Sequence, residues 1–174
     1  MNQHINLSRT VNEPFEIEIR LASSADTGRI DEINRQSWGG GITTHELLEA
    51  RHGAINGRDW TTHISESVAA HLKQADVTTF VAEHDSQVVG FAAGQIKSEG
   101  PSDIGVVSYN AVDPAFRGHG VGTALIKHVM AYLKTKGARA LTVVTLEEDQ
   151  AACRIYERLG FQRLTRLVYF SKDC

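Results

Sequence analysis

VDPAFRGHGVGTALIKHVM (112–130) sets an Asp-Pro turn, an arginine and three glycines in front of a run with helical spacing. Val121, Leu125, Ile126, Val129, Met130 and Leu133 fall on one stripe, the pattern of an amphipathic helix. KTKG (134–137) closes it with lysines in the last turn and a glycine just beyond. A helix start leaves its first N–H groups without intrahelical partners, at the positive end of the macrodipole. Gly118, Gly120 and Gly122 let the backbone approach an anion with no Cβ in the way, and Arg117 adds a permanent positive charge. Such a loop suits a diphosphate. It is not the dinucleotide fingerprint, because the sixth position from Gly118 is Thr123, and it is not a P-loop, because no lysine follows Gly122. Taken alone, the glycines fit a flexible turn as well as an anion site.

Working outward, FEIEIRL (15–21) alternates strictly and reads as a half-buried strand. SSADTGRIDEINRQSW (23–38) offers serines as helix caps and an apolar side at Ile30, Ile33 and Trp38 before GGGI (39–42) breaks it. From 43 to 75 the chain is helical in character, with Trp60, Ile64, Val68 and Leu72 four residues apart. TTFVAEHDSQVVGFAAGQI (78–96) reads as two strands around a turn at 84–87, and IGVVSYNAV (104–112) as a third. ARALTVVTL (138–146) is a further strand. DQAACRIYERLGF (149–161) is a short helix with Ala152, Ile155, Tyr156 and Leu159 at helical spacing, stopped by Gly160, and FQRLTRLVYF (161–170) closes as a strand. The order strand, two helices, three strands, helix, strand, helix, strand implies an α/β (α+β) fold with a mixed, largely antiparallel central sheet flanked by helices. The expected organisation is a loose tail over 1–14 and a single domain over 15–174.

Composition narrows the function classes. The 174 residues are 41% apolar and 22% charged, with a formal net charge of -3, so no global basic field attracts nucleic acid. Cys153 and Cys174 fit neither a zinc site nor a disulfide framework, which favours a reducing compartment. The opening MNQHINLSRTVNEP lacks the apolar run of a signal peptide, and no stretch approaches a membrane span; a cytoplasmic location is expected. The histidines show no metal-binding spacing.

The segment VDPAFRGHGVGTALI resembles the acetyl-CoA signature of the GNAT superfamily of N-acetyltransferases, R-x-x-G-x-G/A, with Arg117, Gly120 and Gly122 at its fixed positions. DQAACRIYERLGF resembles the same family's second signature, N-x-x-A-x-x-x-Y-x-x-x-G-F, matched at Ala152, Tyr156, Gly160 and Phe161. The family's asparagine falls on Asp149, which keeps an acceptor but loses the amide donor and adds charge. The resemblance implies acetyl-CoA lying between two splayed strands, 104–112 and 140–146. Its diphosphate would sit on amides of Gly118, His119, Gly120, Val121, Gly122 and Thr123, with Arg117, Asp149 and Ala152 completing the site. Its pantetheine arm would pair with backbone at Ala111 and Val112, and a strand N–H would face the acetyl carbonyl. No metal is expected.

The implied reaction is acetyl transfer to a primary amine of a small molecule or peptide, by direct attack in a ternary complex. The alternative is a non-catalytic acyl-CoA-binding regulatory module. Tyr156 is the expected acid, donating to the departing thiolate; its plainer reading is a packed helix tyrosine. Glu83, Ser108, Asn110 and His45 are candidates for relaying the amine's proton, although each reads more readily as a solvated or structurally bonded side chain. His119 occupies a position that the motif leaves free. Trp38, GGGI and Trp60 lie where the family builds its acceptor pocket, unless the tryptophans are core. The expected partner is a small-molecule or peptide amine, with no nucleic acid and no membrane; a homodimer is allowed.

Overall fold

The computed structural model describes residues 15–38, 43–99 and 102–172. The 1–14 tail, GGGI and Cys174 lie outside the described residues. Five strands form one sheet in chain order: β1 (Glu18–Leu21), β2 (Val77–His84), β3 (Gln87–Glu99), β4 (Ser102–Val112) and β5 (Ala140–Val143). The first four are antiparallel and β5 runs parallel to β4, so the expected mixed, largely antiparallel sheet is present. The helices are α1 (Thr27–Ser37), α2 (Thr44–His52), α3 (Trp60–Leu72), α4 (Val121–Thr135) and α5 (Gln150–Arg158).

Local chemistry accounts for most boundaries. β2 and β3 meet at a two-residue turn in which Asp85 and Ser86 both have positive φ, the geometry whose twist matches paired strands. Thr43 and Asp59 cap α2 and α3 by accepting from Glu46 and Thr62 amides. Before α1, the Ser23 amide and hydroxyl both donate to Asp26. Arg20 forks onto the same Asp26 at 2.8 Å and reaches Glu83 at 2.9 Å, which ties β1, β2 and the start of α1 together. The Arg20 guanidinium holds the buried Asp26 carboxyl well below the usual carboxylate range.

Each sheet face buries a separate cluster. On one face the α4 stripe of Val121, Leu125, Val129 and Leu133 packs on Phe80, Ala82, Val89, Ala92 and Val107. On the other, Ile30 and Ile33 of α1 and Ile64 and Val68 of α3 pack on Val81, Val88, Phe91 and Ala111. Fully burying one such side chain contributes about 1.5–3 kcal/mol before entropy is charged against it. At Gly94 α4 packs close against the sheet: a Cβ there would lie 2.6 Å from Val129 Cγ1 and 3.1 Å from the Val106 carbonyl oxygen. Gly94→Ala is therefore expected to overpack the face and cost about 1–3 kcal/mol, read as a lowered denaturant midpoint; an unchanged midpoint would mean that α4 yields freely.

Three expectations need correction. The region 23–75 holds three helices rather than two, because 53–59 turns between α2 and α3. The first strand starts at Glu18, although Phe15, Ile17 and Ile19 do pack inward as the alternation requires; Leu21, at the strand end, is 59% exposed. FQRLTRLVYF forms no strand: 161–172 takes no regular structure and pairs with no neighbour.

Candidate active site

β4 carries one more residue than β3 at its centre. Gly94 pairs with Val107 and Ala93 with Tyr109, so Ser108 is the bulged residue. Pairing with β5 stops at the same place, at Val107 against Val143. A bulge bends its strand and raises the local twist; here it turns 108–112 away from β5 and leaves that edge of β4 without a strand beside it. The result is a cleft whose floor is backbone. Ser108 Oγ, at the bulge, is buried without a hydrogen-bond partner.

Two elements converge on the cleft. From the α4 side, Asp113 accepts the Ala115 amide and, with Pro114 as the first residue of a short 3-10 turn, leads into the glycine loop. Gly120 is the N-cap of α4 at φ +81°, a left-handed conformation that glycine adopts without steric cost. It supplies no side chain to cap the helix, so the amides of Val121, Gly122 and Thr123 lack a side-chain acceptor from that residue. A Cβ at Gly118 or Gly120 would meet nothing within 4 Å, and one at Gly122 only Val112 Cγ2 at 3.4 Å. The loop is thus open on its outer side, a cradle that side chains would fill.

From the other side, α5 brings Tyr156 across the gap. Its hydroxyl accepts a 3.0 Å hydrogen bond from the Asn110 amide, and its ring stands edge-on to Phe161 at 5.9 Å. The side chain is buried, and burial pushes the phenol above its ordinary value, against the opposing pull of the Asn110 donor. Tyr156 therefore keeps its proton throughout the neutral range. It packs as a helix tyrosine and also presents its hydroxyl to the β4 edge, so both sequence readings apply.

The other candidates are distributed unevenly. Ala111 and Val112 end the free edge of β4, and Ala152 donates its amide to Asp149 Oδ1 at 3.0 Å, so Asp149 is the N-cap of α5. The Arg117 side chain folds back to the Val112 and Ser37 carbonyls rather than standing over the loop. His119 stacks on Phe15, with ring centroids 4.4 Å apart, which turns its side chain to the segment before β1 and leaves its backbone to the loop. Glu83 is engaged by Arg20, on a strand separated from β4 by β3. Asn110 is the donor to Tyr156 and no base. His45 sits on α2, where burial and the neighbouring His63 keep its imidazole below the usual value. It lines a small cavity of about 90 Å³ with Trp60, Glu49 and His63. Both tryptophans pack against the α1–α3 core: Trp38 donates to Asn34 Oδ1 at 2.7 Å, and Asn34 donates in turn to the Ser65 carbonyl, linking the two helices. Among the described residues no group of three His, Cys, Asp or Glu could hold a metal, and no helix is long and apolar enough to cross a membrane.

One tie is invisible in the sequence. Arg29 of α1 donates to the Val88 carbonyl at 3.0 Å and to Asp113, the residue that opens the glycine loop. A sequence separation of 84 hides the Asp113 pair from any local pattern. It fixes the loop's entrance to the opposite layer of the molecule.

The chain's residues 42–161 match the model of the Acetyltransferase (GNAT) family. The chain is 34% identical over 118 residues to a mycothiol acetyltransferase of Thermomonospora curvata, covering 63% of this chain and 39% of that one. It is 28% identical over 124 residues to an aminoglycoside N(6')-acetyltransferase type 1 of Salmonella typhimurium, covering 66% and 86%. It thus spans about two fifths of the length of the first of these relatives. A solved aminoglycoside N-acetyltransferase, AAC(6')-Iy in complex with CoA, superposes with a TM-score of 0.64 at 21% identity over 91% of this chain and 96% of that one. With the splayed β4–β5 pair and the open glycine cradle in place, the family match over most of its length establishes that the chain belongs to the GNAT acetyltransferase family.

Proposed function

We propose that residues 15–174 form one N-acetyltransferase domain that moves an acetyl group from acetyl-CoA to a primary amine of a small molecule, by direct attack with both substrates bound. The observation that carries the reading is the buried Tyr156 hydroxyl, protonated and held by Asn110 beside the unpaired edge of β4. The residues present fit the cosubstrate. The 118–123 backbone offers an uncrowded cradle for a diphosphate, and 108–112 offers strand backbone to an extended amide chain. Bound acetyl-CoA supplies the activated thioester. Tyr156 Oη then holds the proton that the departing thiolate needs, while Phe161 and Asn110 fix its ring and its hydroxyl. Glu83 is tied to Arg20 and Asn110 donates to Tyr156, so neither is assigned the nitrogen's own proton. The small-molecule class follows the relatives named for mycothiol and aminoglycosides.

The test is thiol release from acetyl-CoA across a panel of aminoglycosides, amino-sugar thiols, diamines and peptide amines. Turnover with at least one small amine is expected. Tight CoA binding with no turnover on any amine would replace the enzyme by an acyl-CoA-binding module.

Asp149 offers a second check. Its carboxylate already caps α5, and asparagine caps equally well. Asp149→Asn is expected to melt like the parent and to bind acetyl-CoA as well or better, because a negative charge is removed beside an anionic ligand. A large loss of affinity by calorimetry would reveal a specific contact made by the carboxylate.

A further inference from the structure

A cavity of about 410 Å³ opens at the β1 side of the sheet, within the size range of small-molecule sites. Its origin is a mismatch of strand lengths. β1 pairs with β2 from Glu18 to Leu21, and the Ala22 amide adds one more bond to the Thr79 carbonyl at 2.9 Å. There the chain turns into α1, while β2 starts further back at Val77. Val77 and Thr78 therefore have no β1 residue beside them, and α1 and α3 overhang the gap. Leu21, Ala22, Ile30, Leu72 and Val77 form its apolar wall. Leu21 is 59% exposed, so that wall leaves apolar surface in water. β2 and β3 separate β1 from β4, and the lining takes no residue from β4, the glycine loop or α5. The lining includes one acid and one base from different helices: half-buried Asp31 of α1 and exposed Lys73 at the end of α3. Neither side chain has an ion pair or a hydrogen-bond partner among the described residues.

We propose that this cavity binds a free α-amino acid with an apolar or aromatic side chain, its ammonium toward Asp31, its carboxylate toward Lys73 and its side chain on the Leu21–Val77 wall. Charge complementarity selects this occupant. A simple carboxylate would gain Lys73 but face Asp31. A simple amine would gain Asp31 but face Lys73. A neutral hydrocarbon would use neither charge. An α-amino acid carries both charges and an apolar branch on one carbon, which answers all three parts of the lining. Covering the apolar wall supplies affinity, and the two charges supply orientation. The site is independent of the acetyl-transfer reading.

Titration of the isotope-labelled full chain with leucine and with phenylalanine, followed through its amide chemical shifts, tests it. Shifts are expected around Leu21, Ala22, Asp31, Lys73 and Val77, with a dissociation constant below about 5 mM for a ligand of this size. N-acetyl-leucine lacks the ammonium and leucinamide lacks the carboxylate; each is expected to bind at least about fivefold more weakly than leucine. Asp31→Lys and Lys73→Glu each reverse one charge that has no partner in the fold. Both are expected to keep the parent's melting curve and to weaken leucine binding at least about tenfold. The analogue comparison uses the parent alone, so it decides even where a variant fails to fold. No shift with either amino acid at about 20 mM overturns the proposal. So do analogues that bind as well as leucine, or folded variants that bind leucine like the parent. Shifts confined to 108–112 and α5 also overturn it, because the amino acid would then be an acceptor in the transfer cleft.

Discussion

Gly122→Val is expected to weaken acetyl-CoA binding at least about 100-fold while leaving the melting curve of the protein where it was. Gly122 sits in the first turn of α4 with ordinary helical geometry, since its φ is not positive, and its Cβ would meet only Val112 Cγ2 at 3.4 Å, a normal contact. Valine is no worse than glycine inside a helix, so the fold has no reason to object. The new methyl groups instead add bulk at the start of α4, beside the amides of Val121 to Thr123 that the proposed function gives to the diphosphate. Hydrogen bonds to a charged group contribute about 1.5–3 kcal/mol each, and each 1.4 kcal/mol is tenfold in affinity. Losing one or two accounts for the expected effect. Gly120→Val is a poorer test, because φ +81° strains any β-branched residue and mixes lost stability with lost binding. Calorimetric titration beside a thermal melt separates the two. Unchanged affinity in Gly122→Val would remove the diphosphate from this loop.

That distinction between Gly120 and Gly122 marks where sequence reading ends. The glycines, the arginine and the following stripe read as a helix start suited to an anion, because those features lie within the one stretch 117–133. Which glycine needs its backbone freedom and which only keeps space clear depends on φ and on the neighbours of a missing Cβ, and neither is written locally. The same holds for the side chain that sequence favours most for phosphate. Arg117 matches its motif position, yet it is drawn to the Val112 and Ser37 carbonyls by partners that come from β4 and α1.

The sheet was legible at 15–21, where alternation reports the burial of one face directly, and at 77–96, where strand-forming runs flank a two-residue turn although β3 there is buried on both faces. It failed at 161–170. That stretch has the composition of a strand, but a strand also needs an edge to pair with, and no local pattern says whether one is available. The central bulge at Ser108 was equally hidden: it is a mismatch of count between β3 and β4, visible only once their register is known. Yet the bulge opens the cleft, so the most functional feature of the sheet left no mark on the sequence of either strand.

Tyr156→Phe is expected to lower kcat at least about tenfold, with little change in acetyl-CoA affinity. The ring stays on Phe161 and on the same helix face, so the cofactor cleft keeps its shape. What is lost is the proton donor, and a positioned acid contributes ~10²–10⁴-fold; a thiolate leaves readily and water can substitute in part, which sets the lower bound. The deletion also strands the Asn110 amide, at a cost of about 1–3 kcal/mol in stability, so a modest fall in melting temperature accompanies the rate loss without causing it. Asn110→Ala provides the complement. It leaves the phenol in place but frees its hydroxyl, so it is expected to lower kcat by less than Tyr156→Phe does. The pH profile then identifies the group. Neutral phenol is the active form, and burial raises its folded value, so the form that donates persists until pH climbs through a point above the ordinary ~10. The parent is therefore expected to show no alkaline fall in kcat below about pH 10. A falling limb near neutrality that survives in Tyr156→Phe would belong to another acid. If the Phe variant turns over its amine at the parental rate, with chemistry shown to be rate-limiting, Tyr156 is a packing residue whose hydroxyl serves only Asn110.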